Sequence, residues 1–149
     1  MNIRQVTIVT DIRVSSRLFF GSSWRIELKN FRDLLVWQKS YALTLACYRH
    51  TRDFPKCELY GITTQIRRCS ASIAANIAEG CGKRGNAEFQ RFLNIAAGSA
   101  SELEYHLLLA RDLKLLTPAD YGDLDLAAVE VKRMLAGLIV KVEQDRLTG

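Results

Sequence analysis

Two histidines and four cysteines carry most of the reactive potential of this 149-residue chain. His106 follows Glu102 by four residues and Glu104 by two, a cluster that would present ligands to a metal if a helix carried it. A di-iron centre in a helical bundle needs a Glu and a Glu-x-x-His repeated across several helices. No second copy of the cluster exists, so it reads as a polar helix face. His50 stands alone. A Ser–His–Asp or Cys–His site needs a histidine aimed at a nucleophile in a cleft, and neither histidine has sequence support for that role. Cys47, Cys57, Cys69 and Cys81 are ten or twelve residues apart, without a CxxC pair or a CxxC…HxxxH pattern, which argues against zinc. Cys47 and Cys69 fall among apolar positions, where a thiol acts as a small hydrophobe. All four read as reduced thiols of a cytoplasmic protein. Gly80-x-Gly82-x-x-Gly85 has the spacing of a dinucleotide-binding turn, but it follows a helical pattern instead of a strand and fails that context. The expectation is a non-enzyme with no catalytic residue, no metal ligand and no cofactor.

What remains is charge. The formal net charge is +5, and it is unevenly spread. Residues 1–30 hold five Lys/Arg against two acids, residues 31–99 ten against five, and residues 100–149 six against nine. Lys83 and Arg84 occupy the glycine-rich stretch Gly80–Gly85 just ahead of a helical pattern. Free N–H groups and the helix dipole favour an anion at such a start.

The elements that must position these residues are helices. Asp33 is a suitable cap for a first helix whose apolar face is Leu34, Trp37, Tyr41, Leu45 and Tyr48, ending near Asp53 before Pro55. A second helix starts around Glu58 to Gly61, carries Ile62, Ile66, Cys69, Ile73 and Ile77, and stops at Gly80 as a left-handed cap. Asn86 caps a third, with Phe89, Phe92 or Leu93, Ala96, Ala100, Leu103, Leu107 and Ala110 on one face. Thr117-Pro118 opens a fourth, with Leu124, Ala128, Val131, Leu135, Leu138 and Val142. Four long periodic segments with short connections make an all-α, antiparallel up-down-up-down four-helix bundle over residues 31–149 the economical solution.

The small-residue runs Ser70–Ala75 and Ala96–Ser101 would let the second and third helices approach closely, with Gly98 placed for that contact. Val36, Leu43 and Cys47, then Tyr105, Leu108 and Leu109, then Leu113, Leu115 and Leu116 widen the apolar surface beyond one core. A patch of that extent predicts a homo-oligomer. Residues 1–30 read as a variable tail outside the bundle, extended over residues 3–9 and looped at Gly21-Ser22-Ser23. Asp11 and Arg13 interrupt a secretory signal, and Asp11 and Glu27 count against a transit peptide. No apolar run is long enough to span a bilayer.

In an up-down-up-down bundle, Arg32, Lys39, Lys83, Arg84, Arg91, Lys141 and Arg146 gather at one end, and Asp53, Glu58, Asp112, Asp120, Asp123 and Asp125 at the other. Arg67 and Arg68, mid-helix, complete the set of candidate nucleic-acid contacts, although they could instead pair with acids across a subunit interface.

The order Phe31-Arg32-Asp33-Leu34, Val36-Trp37-Gln38-Lys39, Tyr60-Gly61-Ile62-Thr63-Thr64-Gln65-Ile66-Arg67-Arg68, Asn76-Ile77-Ala78-Glu79-Gly80, Ala96-Ala97-Gly98-Ser99 and Glu102-Leu103-Glu104 resembles the bacterial four-helix-bundle proteins of intervening sequences in 23S ribosomal RNA genes. The likeness spans roughly residues 31 to 145. Ala74-Ala75 departs from the Pro-Ser common in the family, so the second helix should be less kinked. The resemblance implies a ring-forming bundle, typically a homopentamer. It also implies kinship with an accessory protein of diversity-generating retroelements that binds nucleic acid and a reverse transcriptase. The leading expectation is a non-enzymatic oligomer that binds RNA or DNA non-specifically through its basic end, as an accessory to another protein; the alternative is a protein-interaction scaffold with incidental charge.

Overall fold

The computed structural model describes residues 30–148. The tail expected at the N-terminus, with its extended and looped stretches, lies outside the described residues apart from Asn30. Four helices follow in order: α1 Leu35–His50, α2 Ile62–Cys81, α3 Asn86–Asp112 and α4 Pro118–Thr148, with short 3-10 turns at Phe31–Asp33 and Lys56–Glu58. There is no strand among the described residues. Each helix packs on its neighbour in sequence, and α1 also packs on α4.

The apolar stripes of α2, α3 and α4 bury as their spacing predicts. Ile66, Cys69, Ile73 and Ile77 meet Leu93, Ala96, Ala100, Leu103 and Leu107, with Leu124, Ala128, Val131 and Leu135 closing the core. Leu138 is only half-buried. Side-chain contacts fix the order of each pairing. Ser72 Oγ lies 3.0 Å from Ser99 Oγ, and Arg68 reaches Glu102. Lys132 bonds Glu104, and Arg146 donates to Gln90. Lys39 pairs with Glu130 and His50 with Asp120. Thr44 donates to the Ser70 carbonyl, and Arg67 to Thr51.

α1 departs from expectation. Its buried face is Val36, Ser40, Leu43 and Cys47, whereas Tyr41, Leu45 and Tyr48 are between 43% and 49% exposed. Both stripes have helical spacing. The core took the one with smaller side chains, and Ser40 satisfies its buried hydroxyl by donating to the Val36 carbonyl at 2.7 Å. The helix also starts from Leu34, not from an Asp33 cap, because Asn30 caps the preceding 3-10 turn instead. It ends at His50, short of Asp53.

Three glycine and cap assignments also change. Gly80 is a helical residue of α2 and not a left-handed stop: a Cβ there would lie 2.9 Å from Phe92 Cβ and 3.0 Å from Phe89 Cδ2. Gly85, at φ 85°, precedes α3 in place of an Asn86 cap. Gly98 faces outward, with no atom within 4 Å of a Cβ placed there, so it does not serve the α2–α3 contact. That close approach is carried by Gly80 and by the Ser72–Ser99 bond, where Asn76 also donates to the Ser72 carbonyl. α2 runs unbroken through Ala74-Ala75.

The α3–α4 connection is held at both ends. The amide of Leu115 donates to the Ala110 carbonyl and that of Lys114 to Arg111, both at 2.9 Å, which closes α3 in a Schellman motif. Lys114 supplies the left-handed residue at φ 59°. Glycine takes that conformation without the Cβ penalty. Lys114→Gly is therefore expected to raise stability by about 0.5–1 kcal/mol in urea denaturation; a loss of stability would mean that the lysine side chain holds the turn. α4 then opens as predicted. Thr117 Oγ1 accepts from the Asp120 amide at 3.1 Å and donates to its carboxylate at 2.8 Å.

Candidate functional site

The basic residues singled out by the sequence do not all gather in one place. Lys83 and Arg91 converge on one ring: Nζ of Lys83 is 5.3 Å and Cζ of Arg91 4.4 Å from the centre of Phe92. Arg84 sits in the adjoining loop, and Arg146 reaches the same region through Gln90. Two of these cations are already paired within their own stretch, Lys83 with Glu79 at 3.2 Å and Arg91 with Glu88 at 3.1 Å.

Lys39 belongs elsewhere, on the α1–α4 seam, 3.0 Å from Glu130. Arg67 and Arg68 lie in the first half of α2 and diverge. Arg68 is held by Gln65 of its own helix and reaches Glu102 on α3. Arg67 turns to α1, donating to Thr51 Oγ1 at 2.9 Å and to the Thr51 carbonyl at 3.2 Å, with its guanidinium 4.9 Å from the centre of Tyr48. Arg32 stacks on Phe31 at 4.4 Å. Among the described residues, Arg32, Arg67, Arg84, Lys141 and Arg146 are the candidates without a carboxylate partner.

The two ends of the molecule are consequently less polarised than a tally of cations implies. Asp33, Glu79, Glu88, Glu143 and Asp145 intersperse the expected basic end, and Arg49, Arg52, Lys56, Arg111 and Lys114 the acidic one. Exposed ion pairs contribute little to stability. They do matter to a polyanion, since each bound carboxylate subtracts from the charge that phosphates can meet.

The reactive residues are placed as follows. His50 Nδ1 is 3.4 Å from Asp120 across the α1–α4 seam, and His106 Nε2 is 3.7 Å from Glu102, a carboxylate shared with Arg68. Nδ1 of His106 is buried and has no hydrogen-bond partner among the described residues. Among the described residues no three His, Cys, Asp or Glu side chains group as metal ligands. No disulfide joins the cysteines. Burial pushes the Cys47 thiol up to about 12 and the Cys69 thiol up to about 11, the latter with help from the Glu102 charge. Thiolate is the reactive form. At pH 8, the exposed Cys57 is therefore expected to react with a maleimide at once, while buried Cys47, Cys69 and Cys81 react only on unfolding. Rapid labelling of more than one thiol in the native protein would contradict this.

Two surfaces went unnoticed in the sequence. One is a run of rings at the start of α1, where Phe31 of the preceding 3-10 turn meets Trp37 at 4.8 Å and Trp37 stacks on Tyr41 at 5.3 Å with planes 7° apart. The other runs along the outside of α4. Gly122, Leu126, Val129, Arg133, Ala136 and Val140 recur at alternating steps of four and three residues, and Leu126 and Val140 are 70% and 52% exposed. The α4 signal was present as a second 3.5-residue repeat, out of phase with the core stripe. No helix among the described residues is long and apolar enough to cross a membrane.

Residues 32–137 match the model of a family described as 23S rRNA-intervening sequence protein. No curated protein matches the chain. Among solved structures, the fold resembles a protein of unknown function from the S23 ribosomal protein family of Bacteroides thetaiotaomicron VPI-5482. The two share 28% identity with a TM-score of 0.65, over 70% of this chain and 98% of that one.

Proposed function

Because the chain belongs to the 23S rRNA-intervening sequence protein family, a family whose function is unknown, we propose a role built from its surfaces: a non-enzymatic, antiparallel up-down-up-down bundle that self-associates and works as an interaction module. The carrying observation is that α4 is apolar on two sides. Leu124, Ala128, Val131 and Leu135 face the core, while Leu126, Val129 and Val140 face away from it. An outward 3.5-residue repeat of apolar residues, broken here only by Arg133, suits packing by another helix. The opposed order of the side-chain pairs along each seam supports the up-down topology. Closure into a ring, pentameric by the family likeness, belongs to this reading, as does residence in the cytoplasm. Sedimentation equilibrium at micromolar concentration tests it. A multiple of 16.8 kDa is expected, and a lone monomer overturns the reading.

A second reading adds nucleic acid as ligand, favoured by the meeting of Lys83 and Arg91 on Phe92 beside Arg84. Neutralised phosphates set the salt dependence, at about 0.9 log unit of affinity per log unit of salt for each phosphate contacted on duplex DNA. Since Glu79 and Glu88 already engage two of these cations, a modest salt slope per subunit is expected. Lys83→Glu with Arg84→Glu should abolish low-salt binding of duplex RNA or DNA in an anisotropy titration. Unchanged binding would move the contact elsewhere, and no binding by the unaltered protein would end this reading. A reverse transcriptase or another protein as partner would follow from the self-associating module and is tested by co-purification in salt that strips nucleic acid.

A further inference from the structure

We infer that the outer face of α1 is a stacking track for single-stranded nucleic acid. This rests on the nucleic-acid reading and names both its ligand class and a surface apart from the Lys83–Arg84 loop. The starting point is two arginines outside that loop that lack a carboxylate partner among the described residues and instead cover a ring, Arg32 and Arg67. Each lies over a ring, Arg32 at 4.4 Å from Phe31 and Arg67 at 4.9 Å from Tyr48. Between them, Phe31 meets Trp37 at 4.8 Å, and Trp37 stacks on Tyr41 with planes 7° apart. The result is three rings in contact from the 3-10 turn into α1, with Tyr48 two turns further along the helix and a guanidinium at each end. Tyr41 and Tyr48 are 49% and 47% exposed, so part of each side chain reaches solvent beyond its contact with Trp37 or Arg67. Arg49 follows Tyr48 and makes no ion pair among the described residues, which leaves a cation for the phosphates.

Aromatic faces interleaved with arginines recognise unpaired bases, because any base can stack on a ring or a guanidinium while its phosphate meets a cation. A duplex cannot use such a surface, since its bases are stacked on one another and only their edges are accessible in the grooves. An apolar protein partner would have equal use for Leu45, which interrupts the line, but it has no need of a guanidinium over the rings at both ends. The charge at the ends is what favours a polyanion with flat, apolar bases.

The test is anisotropy at low salt with a short oligothymidylate strand and a hairpin duplex as probes. The single strand is expected to bind about tenfold or more tighter than the duplex. Tyr41→Ala with Tyr48→Ala should weaken single-strand binding by about tenfold or more, leave the duplex unchanged, and leave the oligomeric mass unchanged. Tyr41→Phe with Tyr48→Phe keeps the ring faces and should keep the binding. Should the alanine variant lose helical signal, Tyr41→Leu with Tyr48→Leu preserves apolar bulk without a flat ring and is expected to show the same loss. Equal weakening of both probes, no weakening of either, or a change of mass with binding intact would overturn the track; the last would make α1 a protein contact. If the unaltered protein binds neither probe, the nucleic-acid reading itself falls.

Discussion

Leu126→Glu combined with Val140→Glu is expected to convert the assembled protein to a 16.8 kDa monomer that keeps its helical content. Both side chains are more than half exposed, so the folded monomer loses little when they change. In an assembly that covers the outer strip of α4 the position is reversed. Burying a Leu or Val side chain contributes about 1.5–3 kcal/mol, so losing two per subunit costs roughly 3–6 kcal/mol per contact. That is at least about a hundredfold in dissociation constant, before any penalty for placing carboxylates against an apolar surface. Light scattering over a dilution series reads the change. The control is Leu124→Glu, one face further round the same helix and only 2% exposed, which should unfold the protein. If the double variant keeps its mass, the outer strip of α4 is not the contact.

Gly80→Val and Gly98→Ala should move stability in opposite directions. At Gly80 the first added carbon meets Phe92 Cβ at 2.9 Å, an atom fixed to the α3 backbone. Relief requires α2 and α3 to part, and overpacking of this kind costs typically about 1–3 kcal/mol. Valine adds two further carbons at the same place. At Gly98 nothing lies within 4 Å of the added carbon, and alanine is about 1 kcal/mol better than glycine in a helix interior. For a chain of this length, each kcal/mol moves the melting temperature by about 2–4 °C. Gly80→Val should melt several degrees below the parent and Gly98→Ala a few degrees above it. A destabilised Gly98→Ala variant would mean that the outer face of α3 is covered in solution by something that needs the glycine.

How far the sequence could be read follows from where its signals are single-valued. The stripe of α2 has one apolar side, and the inward stripe of α3 is buried as its spacing predicts even though Ile95, Tyr105 and Leu108 stand exposed outside it. α1 has two, and aromatic size was a poor guide between them: Val36, Ser40, Leu43 and Cys47 are compact enough for a close seam, and Ser40 bonds within its own helix. α4 also has two, and only the inward one was recognised. At the candidate site, the convergence of Lys83 and Arg91 was legible from chain order. So, by helical spacing, were their partners Glu79 and Glu88, four and three residues away. The pairs Lys39–Glu130 and Arg68–Glu102 join different helices and depend on register, which composition and periodicity do not specify. The glycine pattern was ambiguous for a similar reason, because a helical glycine marks close packing only if its open side faces a neighbour.

The unequal lengths of α1 and α4 carry a last consequence. At about 1.5 Å per residue, the 16 residues of α1 span about 24 Å and the 31 of α4 about 46 Å. The short helix therefore has the least surface with which to hold on, whereas α2 and α3 interlock through Gly80 and the Ser72–Ser99 bond. Local opening costs less where fewer buried contacts must be broken. The molecule is best thought of as a three-helix frame with a detachable slat, and a partner that grips α1 would set how often the frame stands open.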